Sequence, residues 1–476
     1  MSDLSKRRTS LKAALFASTL AFAFPADAAE AEKPIGLDAQ TGVAVTIYND
    51  DLALVKDRRT VTLDTGLNRL ALIDVSAQIR PETALLHTSE GRLSVLEQNF
   101  DFDLLTPEKL LEKSVGSTVR VITTNPETGA ETVEDATVLS VAGGVVLRIG
   151  DRIETASPGR IVFAEVPPNL RARPTLIIEL DSEAAGEKPV ELAYLTGGLS
   201  WRADYVAELS ADESSLDLNG LVTLTNTSGT TYRDARLQLV AGDVNRVRDE
   251  MMFRAEMMTA DAAAPAQQMS EQALFEYHLY TLERPTTIAD NQTKQVALLS
   301  GSGIPVEKEY RFVNIANAYD YIRAETPRAN ASVRLAFDNT EADRLGLPLP
   351  MGTVRVYKSD SDGQALFVGE DAIQHTPKGE TVRLTLGQAF DVTAHPKQTD
   401  FERLSDRVFE AEYEIEIKNA KTEDITVAVI ETIPGQWKMV NESIAHERTG
   451  AFQAEWQVPV PAEGSAVLTY RVRIEY

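Results

Sequence analysis

Between Leu199 and Leu209 apolar and polar residues alternate: Leu199, Trp201, Ala203, Tyr205, Ala207 and Leu209 fall on one parity, and Ser200, Arg202, Asp204 and Glu208 on the other. Successive side chains of a pleated strand point to opposite faces. The rhythm therefore predicts a strand packed on a core along one side and open to water along the other. It returns over 218–225 and 235–241, either side of a turn at Asn226-Thr227-Ser228-Gly229, and the three strands read as one sheet layer of a β-sandwich.

Along the rest of the chain the alternation predicts β-structure almost throughout. Val43, Val45 and Ile47 begin an N-terminal unit over 37–102, in which 60–63 and 67–73 read as a hairpin closed by Asp64-Thr65-Gly66, and 93–98 adds a strand. Thr106 then caps a short helix, with Pro107 at its first position, Glu108 in its first turn, Leu110 and Leu111 inward, and Gly116 beyond its end. Short strands at 117–123, 136–140, 145–149 and 160–163, separated by glycine-containing turns, predict a small SH3-like or Sm-like barrel inserted over 103–167. A central β-sandwich is expected over 168–400. Inside it, 249–273 breaks the rhythm: Met251, Met252, Met257, Met258 and Met269 accompany Ala262-Ala263-Ala264-Pro265, which predicts a flexible surface loop. Ser359-Asp360-Ser361-Asp362-Gly363 joins 353–357 to 365–368 as a hairpin. The last unit, 401–476, turns Tyr413, Ile415 and Ile417 inward and Glu412, Glu414 and Glu416 outward, as in an immunoglobulin-like sandwich. The expected class is all-β, built from several sandwich and barrel modules.

Composition changes this picture mainly at the N-terminus. A length of 476 residues implies two to four units, and 43% hydrophobic with 25% charged residues is ordinary for a globular chain. Lys6-Arg7-Arg8, an apolar run over 13–24 too short to span a bilayer, and Ala26-Asp27-Ala28 read as an export signal cleaved after Ala28. The run Arg7-Arg8-Thr9-Ser10-Leu11-Lys12 resembles a twin-arginine signal, with Ser10 where a bulky apolar residue is usual, so the twin-arginine and Sec routes both stay open. The formal charge is −25; Lys6, Arg7, Arg8 and Lys12 against Asp3 and Asp27 give the first 28 residues +2, leaving −27 on the remainder. Nucleic acid and anionic lipid are poor partners for such a chain, because binding phosphates needs clustered cations. With no cysteine, neither a disulfide nor a lipidated cleavage site is available. A periplasmic protein without a membrane span after signal removal is expected, with envelope protein or glycan as partner and no cofactor.

Motifs for chemistry are sparse. Asp64-Thr65-Gly66 matches the aspartic-protease triplet, but that mechanism needs two such aspartates and the chain has one, so a tight turn is the better reading. Asp360-Ser361-Asp362-Gly363 resembles a calcium loop; aligned on Gly363, the EF-hand ligand positions fall on Lys358 and Gly369, which excludes an EF-hand. His87, His278, His375, His395 and His446 have no metal-ligand spacing, and His375 before Thr376-Pro377 reads as a hydrogen-bonded turn residue. Ser200 lacks the second glycine of a nucleophile elbow, since Arg202 stands there. The methionine cluster offers thioethers to Cu(I), against a plainer reading as a loosely packed loop. Trp201 and Tyr205 belong to the core by parity, whereas Arg202 and Asp204 share the outer face and pair; these four and His375 are the interaction candidates.

Leu195-Thr196-Gly197-Gly198-Leu199-Ser200-Trp201-Arg202-Ala203-Asp204-Tyr205 resembles a family of exported bacterial envelope proteins, the domain of unknown function 4139. So do the run from Gly369 to Glu380, Gly387-Gln388-Ala389-Phe390-Asp391-Val392, and Val458-Pro459-Val460-Pro461-Ala462-Glu463-Gly464. The likeness runs from about Val43 onward and implies a β-rich envelope protein with no catalytic residues to carry over. Mucoidy-inhibitor-like relatives add a helical coiled-coil region, for which this chain has no sustained heptads. The leading functional expectation is a binding or scaffold component of the envelope. The alternatives are a hydrolase using two carboxylates from distant strands and a copper or calcium binder.

Overall fold

The computed structural model describes residues 32–49, 51–101, 103–167, 170–242, 269–316, 327–360 and 362–476, and strands that form five sheets dominate them. The segment read as an export signal and most of the methionine-rich segment lie outside the described residues. A five-stranded sheet runs in the order Gln292–Pro305, Ser215–Asn226, Leu199–Leu209, Gly352–Ser359, Ala365–Ile373, with the alternating strand at its centre. A larger sheet is built around the antiparallel pair Gln40–Tyr48 and Leu52–Leu63, and a four-stranded sheet around Gly66–Ile73 and Thr175–Ser182. These three share one hydrophobic core, to which Val45, Val55, Leu72, Ile178, Trp201 and Tyr205 all belong.

Arg59 joins two of these sheets from inside. Its strand Leu52–Leu63 alternates so that Val55, Asp57, Arg59 and Val61 all point to the core. A buried guanidinium must be paired, and this one is: Arg59 donates to the Asp57 carboxylate and to the carbonyls of Ile35 and Ile73 in the four-stranded sheet.

A nine-stranded sheet holds the second core, centred on stacked Tyr413, Tyr470 and Trp456 with ring centroids 5.3 and 4.6 Å apart. The strand Thr381–Arg403 serves both cores, with Val382 and Leu384 in the first and Val392 and Ala394 in the second. The position 400/401, where the alternation suggested a boundary, falls inside it. The helix Pro107–Lys113 begins as expected, the Thr106 hydroxyl accepting from the Lys109 N–H at 3.2 Å.

Four expectations need correction. The insert after that helix is an open five-stranded sheet with its own core of Val119, Val121, Ala136, Val138, Leu147 and Ile149, not a closed barrel. Its edge strands Arg152–Glu154 and Arg160–Val162 do not pair with each other and are only three residues long, too short to carry a ladder around the gap. The segments about Asp64-Thr65-Gly66 are not a hairpin, because Leu52–Leu63 already has partners on both edges, Gln40–Tyr48 and Gly186–Thr196. The chain instead turns into the four-stranded sheet, held by Asn68, which donates to the carbonyls of Asp64 and Gly66. The third strand of the supposed layer, Tyr232–Ala241, pairs in parallel with Gln40–Tyr48, since both edges of Ser215–Asn226 are also taken. Finally, 270–273 lie in the strand Ser270–Leu274, after a buried Met269, rather than in a loop.

A candidate binding face on the central sheet

On the Leu199–Leu209 strand all six residues of the apolar parity are buried, Trp201 and Tyr205 among them. The Tyr205 hydroxyl donates to the Pro350 carbonyl at 2.8 Å, fixing the approach to the parallel strand Gly352–Ser359. The Trp201 indole N–H has no acceptor among the described residues, so packing alone holds that ring.

The opposite face carries a hydrogen-bonded chain with one contributor from each strand of the sheet. Gln295 donates to the Thr223 hydroxyl at 3.1 Å, and Thr223 donates to Asp204 Oδ2 at 2.6 Å. Arg355 donates to Asp204 Oδ1 at 3.0 Å and lies 3.1 Å from Glu370 through Nε. Arg202 joins from two residues along the central strand, its Nε reaching Asp204 Oδ2 at 3.2 Å. Asp204 is therefore buried beneath two guanidiniums, its side chain 8% exposed against 57% for Arg202. Burial alone would raise its pKa; the Thr223 hydrogen bond and the charges of Arg355 and Arg202 outweigh it and hold the carboxyl below its usual range. The terminal nitrogens of Arg202 find no partner among the described residues and face solvent. Two residues beyond Arg355 on its strand, opposite Glu208 rather than Arg202 in register, Tyr357 meets Phe367 edge to face at 5.7 Å. Such a face can offer the Arg202 guanidinium at one end and aromatic surface beyond Arg355 at the other, with the buried Asp204 carboxylate between them held by three side chains.

His375 lies apart from this chain. Its Nδ1 accepts from the Met351 N–H at 3.1 Å and the Asn49 amide approaches Nε2 at 3.3 Å, so it ties the end of the hairpin to the large sheet. Asp360 is occupied by its own turn, accepting from the N–H groups of Asp362 and Gln364. Asp64 is largely exposed and paired with Lys33. A polar cleft of about 700 Å³ opens between the Asp212–Glu213 turn and the nine-stranded sheet, near Lys308, Arg334, Asp424 and Glu455. Glu213 bridges Lys358 and Lys308 at its rim. The buried carboxylates lie elsewhere, each already held: Asp57 by Arg59, Asp204 by Arg202 and Arg355, Glu410 by Arg471 and Arg473, and Glu431 by the Ala316 N–H. Among the described residues no group of three or more His, Asp or Glu converges as metal ligands, and no helix is long and apolar enough to cross a membrane.

Sequence reasoning found Arg202 and Asp204 but missed Gln295, Thr223, Arg355 and Glu370. The only signal these carried was outward parity on their own strands, and nothing local specifies which strands become neighbours. No curated protein matches the chain. The likeness read from about Val43 is matched over a narrower span, since the family model begins at residue 190, leaving the four-stranded sheet and the insert outside it and cutting through the larger sheet. With the alternating strand, the polar face and the whole nine-stranded sheet inside residues 190–476, the chain belongs to the family described as domain of unknown function 4139 (DUF4139).

Proposed function

We propose that this protein is a binding or scaffold component of the bacterial envelope, exported to the periplasm, that recognises protein or glycan on the outer face of its central sheet. The observation that carries the reading is the row from Gln295 to Glu370: fixed polar side chains, the exposed Arg202 guanidinium whose terminal nitrogens have no partner among the described residues, and aromatic surface beyond Arg355. Binding surfaces are rich in arginine and aromatic groups held in place before the partner arrives. A hydrolase acting through two carboxylates is the weaker reading. Asp204 and Glu410 are held in their ionised form by arginines, the opposite of the raised pKa a general acid requires. Export is supported by the basic and apolar pattern before Ala28.

Photo-crosslinking in intact cells tests the proposal, with the photoreactive side chain at position 202 or 357 and a control at the buried core position 205. Protein or glycan adducts from the first two and none from the control are expected. Adducts with substrate-sized molecules only would sink the binding reading. The N-terminus of the protein recovered from the periplasm should be Ala29; a chain retained in the cytoplasm with residues 1–28 intact would overturn the export part.

A further inference from the structure

We propose that the edge strand Ala365–Ile373 docks an extended polypeptide of alternating apolar and basic residues, which adds as a sixth strand to the central sheet. This deepens the binding reading above and rests on it. Among the described residues Ala365–Ile373 pairs only with Gly352–Ser359 and ends the sheet. The Asp360 N–H bonds to the Gln364 carbonyl, which fixes the phase of this hairpin: 358 and 366 form a bonded pair, so Ala365 and Phe367 turn their own N–H and C=O outward. Proteins usually blunt such an edge with charge or proline, yet Ala365-Leu366-Phe367-Val368 has neither and all four residues are exposed. Leu366 and Phe367 point to opposite faces of the sheet, so an incoming strand would meet apolar surface on both.

The neighbouring strand adds to the surface without closing it. Gly369, at φ +152°, lies so close to the Leu386 carbonyl that a Cβ would come within 2.4 Å, and the Thr385 N–H donates to Asp371. Beyond these contacts Thr381–Arg403 carries Phe390, 87% exposed. The run 369–380 that bears the family likeness thus touches Thr385 and Leu386, just before the second such run, 387–392.

Charge selects the occupant. Asp362, Glu370 and Asp371 flank the apolar stretch along the same hairpin, while Arg355 and Lys358 are engaged by Asp204, Glu370 and Glu213. A basic strand fits this rim. A second copy would bring the same carboxylates against themselves on a chain of net charge −25, and anionic lipid would be repelled.

The test uses the full-length mature protein and a fluorescent peptide of alternating lysine and valine, read by anisotropy. The wild type should bind it saturably, and a glutamate–valine peptide should not bind. Methylating the backbone nitrogens that would face Ala365 and Phe367 should abolish binding, with no change to the protein. The double variant Leu366→Lys/Phe367→Lys should raise Kd by about tenfold or more with an unchanged melt, whereas Val133→Lys/Ile153→Lys, at exposed apolar positions of the insert, should not. Equal binding of the methylated peptide, no effect of the double variant, an equal loss in Val133→Lys/Ile153→Lys, or no binding at all would each overturn the edge proposal. So would a wild-type dimer that the double variant abolishes, or binding to phosphatidylglycerol vesicles in place of the peptide. Protein adducts from position 202 in cells alongside a failed peptide test would leave the binding reading standing and remove only this edge.

Discussion

Asp204 accepts hydrogen bonds from three side chains while nearly excluded from water, so removing its charge leaves Arg202 without its counter-ion and Arg355 with Glu370 alone. Asp204→Asn should cost about 2 kcal/mol in urea unfolding, whereas Arg202→Ala, removing a largely exposed partner, should cost less than about 1 kcal/mol. Arg59→Met is the harsher change. It strands the buried Asp57 carboxylate and the carbonyls of Ile35 and Ile73, and about 3–5 kcal/mol is expected. Acid stability follows from the same pairs. For Glu410 the hydrogen bond from Arg471 is the largest influence, and with Arg473 it outweighs burial to lower the pKa. A carboxyl depressed on folding stabilises above its unfolded pKa, near 4, and that contribution is lost as pH falls through the lower folded value. Glu410→Gln should therefore be less stable than wild type at pH 7, with the gap narrowing below about pH 4 when melts are compared. Parity made Arg202 and Asp204 legible in the sequence. The depth of Asp204 was not, because it comes from neighbours on other strands, Thr223 and, 151 residues along the chain, Arg355.

At the scale of elements, alternation located most strands but not their neighbours. Leu52–Leu63 and Gly66–Ile73 look like a hairpin because a turn separates two apolar runs, yet a strand has only two edges and both of the first were occupied. Tyr232–Ala241 crosses to the other sheet for the same reason. The parallel pairing of Leu199–Leu209 with Gly352–Ser359 depends on a close backbone approach that a glycine allows: a Cβ on Gly352 would lie 2.2 Å from the Ala203 carbonyl oxygen. Gly352→Ala should therefore force the two strands apart and destabilise by about 1–3 kcal/mol, read as a lowered urea midpoint with an unchanged slope. A wild-type midpoint in that variant would mean the approach is looser than described. Local sequence shows Gly352 as one more strand-end glycine; only the partner strand reveals why the side chain must be absent.

For the whole molecule, the arrangement of cores decides what is separable. The insert has a small core of its own and joins the rest where its ends run side by side, the Leu105 N–H bonding to the Arg171 carbonyl and the Arg171 N–H to that of Asp103. Replacing 104–170 with a short glycine–serine linker should leave a cooperatively folded protein. All three tryptophans, Trp201, Trp437 and Trp456, lie outside that segment and should keep their fluorescence; a shift toward that of the unfolded chain would show that the insert supports the main cores. No such cut is expected to succeed between the two large cores, because Thr381–Arg403 and Ala329–Asp338 each contribute to both. By itself the sequence determined what depends on neighbours one or two residues apart: the extended conformation, the buried and wet sides of each strand, the helix cap, and the acidic charge. Tertiary structure alone decided which edges met, and with them the open insert, the buried Arg59 and the polar row from Gln295 to Glu370. Backbone pairing uses the same groups in every residue, so it carries almost no sequence information until packing and occupied edges select the partner.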